Sequence, residues 1–523
     1  MIDLATVCAN TGLIISTKNK PYLVPIMSSI ELDSLRDIEL AKEADTPLQG
    51  QLYARIKERI LNGRLSPGTK LPSSRSLSSS LSVSRNTVNN AFEQLKSEGY
   101  IETKQGSGHF VSHDLPEHFL QASGLNKSKR SKLANNQLSL STLGESLSNG
   151  ALPRVYDNQS FEAGVPDLDA FPLKTWSRIY HHQSQRTSLL GYNSLKGYPP
   201  LCEVLTRYLS ASRGVDCSPE QVIITVGAQQ AATIAIQVLL NKGDQAYVEE
   251  PGYIGMRKAF HAHGVQTTEI AVGDQGIDIT QLPEKPKGRL LCLTPTHQYP
   301  MGSIIPLANR MKILQWASEN NIWLMEDDYD SEYHYDHKPI AAMQGLGLAE
   351  QVIYIGSFSK VLYPGLRLGY MVVPKRLAGA CVKAKNMMSG QTALVEQATV
   401  AEFIESGHFL RHLRQMRMLY RDKLTAILKA CETHLSSFAY PKYSGAGMHI
   451  VLIFKPEWCK NEITDTQVVK ALQGQQIFCS ALSAYYHQQA KHQGLVLGFA
   501  NTKSSQMDPK IATLKTVLLD LSK

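Results

Sequence analysis

The stretch Ser357-Phe358-Ser359-Lys360-Val361-Leu362-Tyr363-Pro364-Gly365-Leu366-Arg367-Leu368-Gly369-Tyr370 sets a lysine beside two hydroxyls and places an arginine seven positions later. A lysine amine condenses with an aldehyde, and Ser357, Ser359 and Arg367 supply donors for a phosphate a few ångströms away. That is the layout of an anchor for pyridoxal 5'-phosphate (PLP). Lys360 is therefore the predicted covalent anchor and the one predicted catalytic group. Most lysines are solvated surface groups, so this reading needs companions elsewhere in the chain.

Three companions lie upstream in the chain. The ring of PLP withdraws electrons best as a pyridinium, which requires a carboxylate beside its nitrogen. Glu326-Asp327-Asp328-Tyr329 follows the β-rich run Ile322-Trp323-Leu324-Met325, so the acids fall at a strand end, where the ligand sites of α/β sheets form. Successive strand residues face opposite sides, so Asp327 and Asp328 cannot both serve. Asp327, 33 positions before Lys360 and two before Tyr329, resembles the aminotransferase pattern, with Tyr329 on the phenolic oxygen of the ring. The turn Gly227-Ala228-Gln229 opens an apolar helix after the run Val222 to Thr225, so the amides of Ala228 and Gln229 are candidate phosphate donors. Tyr253, in Glu249-Glu250-Pro251-Gly252-Tyr253, is a candidate plate against the ring, although a tyrosine in such a turn is more often structural.

The chain has 523 residues, 43% hydrophobic and 19% charged, with room for about three compact units and a composition far from that of disordered proteins. Its eight cysteines are scattered, with no pair at the two-residue spacing of zinc or redox sites, and no metal site is predicted. No apolar run reaches the length of a membrane span, so the expectation is a cytoplasmic protein with no membrane partner.

Of the net charge of +8, much is concentrated between Leu48 and Ser112, where nine Lys or Arg stand against four acids. In the same segment Leu48, Leu52, Ile56 and Ile60 recur every four residues, as one face of a helix that Asn62-Gly63 stops. Ser73-Ser74 caps a second helix, and Ser82-Val83-Ser84 turns into a third that carries Val88, Phe92 and Leu95 inward. Two short extended runs around Lys104-Gln105-Gly106-Ser107-Gly108 complete a winged helix-turn-helix. In such a module the start of the third helix enters the major groove of double-stranded DNA, so Ser84, Arg85, Asn86, Thr87 and Asn89 are candidate base and phosphate contacts. Arg75 and Lys104 are candidate backbone contacts. The bland alternative is a small interaction domain with a solvated basic surface.

The segments Leu71 to Arg75 (Leu-Pro-Ser-Ser-Arg), Val83 to Val88 (Val-Ser-Arg-Asn-Thr-Val), Glu98 to Ile101 and Gly106 to Val111 resemble the DNA-binding domain of the GntR family. Joined to an aminotransferase-like body, they resemble the MocR subfamily of transcriptional regulators, from about Leu48 to the C-terminus. The resemblance implies an N-terminal winged helix-turn-helix and a PLP-dependent fold-type I aminotransferase-like domain, the latter made of a large α/β domain and a smaller C-terminal one. The expected segments are an extension over 1–46, the winged helix over 47–112, a linker over 113–153 and the aminotransferase-like domain over 154–523. The resemblance also implies a homodimer, in which Tyr192 reaches the phosphate of a partner's site, and an operator-binding activity coupled to a small-molecule effector, either PLP or an amino compound that reacts with it.

Two departures bear on activity. Aminotransferases hold a substrate carboxylate with an arginine on a late strand, and the corresponding run Gly494 to Ala500 has none, leaving Arg411, Arg414 or Arg417 as substitutes. The asparagine that usually precedes the Pro-Thr-Gly turn is replaced by Tyr299, leaving Gln298 or His297 to contact the ring. The expected function is thus a PLP-dependent regulator, with an active aminotransferase that also binds DNA as the alternative.

Overall fold

A computed structural model of the chain describes residues 35, 37–41, 46–115, 139–148, 160–336, 340–347, 350–459 and 463–522. Most of the expected extension over 1–46 and most of the linker, with its basic run from Asn126 to Lys132, lie outside them. Two units divide near Leu140.

In the first unit, α1 (Leu48–Leu61), α2 (Ser74–Leu81) and α3 (Arg85–Ser97) precede a hairpin of β1 (Ile101–Lys104) and β2 (Gly108–Val111). The hairpin pairs Ile101 with Val111 and Lys104 with Gly108. Leu52, Ile56, Leu77, Val88, Phe92 and Leu95 meet in one core, as their spacing requires, and Leu35 and Ile38 join it from upstream of residue 47. Asp37 clamps that upstream segment by an ion pair to Arg59 at 2.6 Å. The side chain of Ser73 accepts the amide N–H of Ser76 at the start of α2, and that of Ser84 accepts the N–H of Thr87 at the start of α3. Each cap satisfies a donor that the helix leaves unpaired, worth about 1 kcal/mol.

The second unit is built on an eight-stranded sheet: β3 (Val222–Thr225), β4 (Gln245–Glu250), β5 (Gln266–Gly273), β6 (Gly276–Ile277), β7 (Leu290–Leu293), β8 (Trp323–Asp328), β9 (Val352–Ser357) and β10 (Gly369–Val372). Their order across the sheet is β3-β10-β9-β8-β7-β4-β5-β6. Strands β9, β8, β7, β4 and β5 are parallel, and β10 runs against both β9 and β3. The C-terminal ends of β3, β4, β7, β8 and β9 therefore share one edge. Alternation fills both faces: Val222 and Ile224 enter one core while Ile223 enters another, and likewise Tyr354 opposes Ile353 and Ile355. Burial on both faces explains why these strands read as continuous apolar runs.

A second, antiparallel sheet of order β11-β12-β14-β13 comprises β11 (Ala439–Lys442), β12 (His449–Phe454), β13 (Ser480–Ala481) and β14 (Gly494–Gly498). It follows the 28-residue helix α4 (His408–Leu435). Among the described residues no helix is long and apolar enough to cross a membrane.

Candidate functional site

The loops leaving the common edge of the large sheet enclose a cavity of about 170 Å³ lined by Ala228, Tyr253, Asp327, Tyr329, Ser357 and Lys360, with Thr294, Tyr299, Asp330 and His449. It adjoins a wider cavity of about 590 Å³ lined by Gly227, Ala228, Gln229, Tyr253, Ser357, Ser359, Lys360 and Arg367. The structure thus brings all nine residues assigned to the cofactor from the sequence to two adjoining cavities. Arg367, Ser359 and Gln229 gather at one end, Asp327 and Tyr329 at the other, and Lys360 lies between.

The side-chain amine of Lys360 donates to the carbonyl oxygen of Gly164 at 2.8 Å. Burial pulls its pKa below the usual lysine range, opposed by the charges of Asp330 and Asp327. A lysine so held spends more of its time neutral, which is the nucleophilic form. Gly164 itself was invisible to pattern reading. Its segment is pinned by Phe161, whose N–H donates to Thr502 and whose carbonyl accepts from Gly498.

Alternation along β8 separates the acids as expected. Asp327 faces the cavity, and its buried Oδ1 has no hydrogen-bond partner among the described residues. Its pKa is pushed up to about 7, by burial first and then by the neighbouring Asp328 and Glu249. Asp328 is spent on the other side of the strand, where its Oδ2 accepts from Arg213 at 2.8 Å and from Tyr354 at 2.7 Å.

The hydroxyl of Tyr329 lies 3.0 Å from Nδ1 of His297, which is itself 3.0 Å from the carboxylate of Asp330, and both His297 and Asp330 are buried. Gln298, one of the two candidates for ring contact, turns away: its amide donates to the carbonyl oxygens of Pro251 and Tyr299 and its oxygen accepts from Met301. His297 lies behind Tyr329, whose hydroxyl it contacts, and does not itself line the cavity. Tyr299 lines the cavity, with its hydroxyl 2.8 Å from that of Tyr485. Arg411, Arg414 and Arg417 lie on α4, and none of them lines either cavity.

The donor set fits PLP. A buried acceptor without a donor suits a ring N–H, and a helix N-terminus with two serines and an arginine suits a phosphate. The helix is Ala228–Leu239, entered through Gly227 at φ +79°, a conformation that favours glycine. The Gln229 side chain is engaged with the carbonyl of Gly255, so only its backbone N–H remains for an anion.

In the first unit Ser84, Arg85, Asn86 and Asn89 are exposed at the start of α3, and Thr87 is half-buried. Arg75 is exposed on α2, and Lys104, at the tip of the hairpin, lies over the Phe110 ring. Ser84 is committed as the helix cap, and its Oγ sits 2.8 Å from that of Thr87.

The model for bacterial regulatory proteins of the gntR family matches residues 48–111, and that for aminotransferase class I and II matches residues 160–511. The probable rhizopine catabolism regulatory protein MocR of Rhizobium meliloti is 34% identical over 487 residues, covering 92% of this chain and 96% of that protein. The HTH-type pyridoxine biosynthesis transcriptional regulator PdxR of Corynebacterium glutamicum is 28% identical, covering 93% and 97%. Among solved structures, LysN, the alpha-aminoadipate aminotransferase of Thermus thermophilus complexed with N-(5'-phosphopyridoxyl)-L-leucine, matches with a TM-score of 0.64. It is 25% identical and covers 70% of this chain and 93% of that one. The chain belongs to the MocR-type transcriptional regulators of the GntR family, in which a DNA-binding winged helix-turn-helix is joined to an aminotransferase class I and II domain, and its cofactor is pyridoxal 5'-phosphate.

Proposed function

We propose that the aminotransferase-like domain is a sensor, which holds PLP and answers to PLP or to an amino compound by changing how the winged helix binds its operator. The cofactor supplies an aldehyde that takes up amines and a ring that withdraws electrons. Lys360 holds it covalently, Asp327 accepts the ring N–H, Tyr329 donates to the phenolic oxygen and Tyr253 covers one face. Ser357, Ser359, Arg367 and the amides of Ala228 and Gln229 bind the phosphate. In the other unit Arg85, Asn86, Thr87 and Asn89 read the major groove. Ser84 fixes the start of the reading helix, and Arg75 and Lys104 contact the DNA backbone.

The observation that carries this reading is the buried Oδ1 of Asp327, without a hydrogen-bond partner among the described residues, in the cavity that also holds the amine of Lys360. A buried acceptor left unpaired is costly, and a pyridinium N–H removes that cost. A homodimer is supported by Tyr192, 99% exposed, with Leu190 at 73% and Met387 at 79%. Gln391 and Lys385 tie the segment after Leu190 to the helix that carries Met387, so these exposed apolar groups lie on neighbouring segments, as an association surface requires. The experiment is an operator titration of the full chain with and without bound PLP: DNA affinity is expected to differ between the two forms, and equal affinity at all PLP and amine concentrations contradicts a sensor.

A further inference from the structure

Building on the sensor reading, we propose that the effector is a primary amine with hydroxyl or aromatic groups and no carboxylate on its amine-bearing carbon. The ring end of the site is poor in positive charge. Among the described residues, Lys360 is the only lysine or arginine lining that cavity. Arg367 belongs to the other end, with Ser359 and Gln229.

The outer wall is formed by Tyr299, Met448 and His449. His449 offers no charge there: burial, and then the neighbouring His297, push its pKa down to about 3, and its Nε2 lies 2.8 Å from the carbonyl oxygen of Pro300. Behind this wall Met301, Val451, Tyr485 and Val496 form an apolar cluster. Strand β14, where an arginine would reach a carboxylate, carries buried Leu495, Val496 and Leu497 instead.

Beside Lys360, the groups that carry charge at this end are acids. Asp327 and Asp330 line the cavity and Glu249 is buried beside Asp327. A substrate carboxylate would enter as a further anion with no arginine among the described residues lining the cavity to pair it, and Lys360 is given over to the cofactor, in a medium where burial penalises charge heavily. The wall offers neutral partners instead, in the ring of Tyr299, whose centre is 5.1 Å from that of His449, and in its hydroxyl, which Tyr485 holds from behind at 2.8 Å. A neutral hydroxyl or an aromatic body is matched by these groups.

The test titrates the PLP-loaded full chain with two matched pairs, tyramine against tyrosine and ethanolamine against serine, reading the cofactor spectrum and the heat of binding. The amine of at least one pair is expected to half-saturate at a concentration at least about tenfold below that of its amino acid, a difference of about 1.4 kcal/mol. Amino acids that bind as tightly as or tighter than their amines overturn the proposal. So does a chain whose cofactor remains trappable on Lys360 by borohydride while neither pair changes spectrum or heat, since the domain then answers to PLP alone. A chain with no trappable cofactor instead removes the sensor reading itself, and the two failures are told apart by that control.

Discussion

The amine of Lys360 sits 2.8 Å from the carbonyl oxygen of Gly164, and a Cβ built on Gly164 would lie 2.9 Å from that amine. A side chain at residue 164 must displace the lysine or be displaced by it. Gly164 also has φ +77°, where other residues are strained by roughly 1–3 kcal/mol. Gly164→Val is expected to reduce cofactor retention at least about tenfold, measured as PLP per chain after desalting. Unchanged retention would show that the backbone and the lysine can both give way.

Asp327 gives the cofactor-free protein a defined pH dependence. Its pKa is raised from 3.8 to about 7, so the folded chain keeps a proton that the unfolded chain releases between those values. The stabilisation is complete below about 3.8 and is lost as pH rises through about 7. Glu249 and Glu326, each pushed up to about 7 chiefly by burial, act in the same direction. Thermal melts are expected to show stability falling as pH rises from 5 to 8, with a shallower fall in Asp327→Asn and in the PLP-loaded chain, where a ring N–H faces the carboxylate. Identical slopes in all three would detach Asp327 from the ring.

Arg85 is exposed at the first turn of α3 and makes no ion pair among the described residues, so its loss should leave the fold intact. Arg85→Ala is expected to cost about 1–3 kcal/mol in operator affinity and to leave the cofactor spectrum unchanged. Lys104→Ala should weaken binding more evenly across sequences and lower the salt slope by about one. Both are read by operator titration at several salt concentrations.

Met387, Leu190 and Tyr192 are the exposed apolar groups assigned to self-association. Met387→Glu places a charge there. It is expected to shift the sedimentation profile of the chain toward the monomer, and an unchanged profile moves the interface elsewhere.

Much of this architecture was legible because its signals are local. The four-residue recurrence of Leu52, Ile56 and Ile60 and the caps at Ser73 and Ser84 define helices without any distant partner. Strand alternation was enough to send Asp327 and Asp328 to opposite sides. What stayed hidden depends on long-range closure. Leu35 and Ile38 enter the first core from a segment of weak periodicity, and Gly164 meets Lys360 across 196 positions. The commitment of Gln298 to Pro251 and Tyr299 reverses a plausible reading for the same reason: its amide is consumed by backbone carbonyls that only the folded loop brings near. The Asp330–His297–Tyr329 chain likewise joins two strand ends far apart in sequence.

A covalent bond between PLP and one lysine underlies every role assigned to the larger unit. The direct measurement is borohydride reduction of the PLP-loaded protein followed by peptide mass mapping. The expected result is a single phosphopyridoxyl group on the peptide carrying Lys360, absent in Lys360→Ala. A wild-type chain with no adduct, or with the label spread over other lysines and unchanged in the variant, contradicts the account.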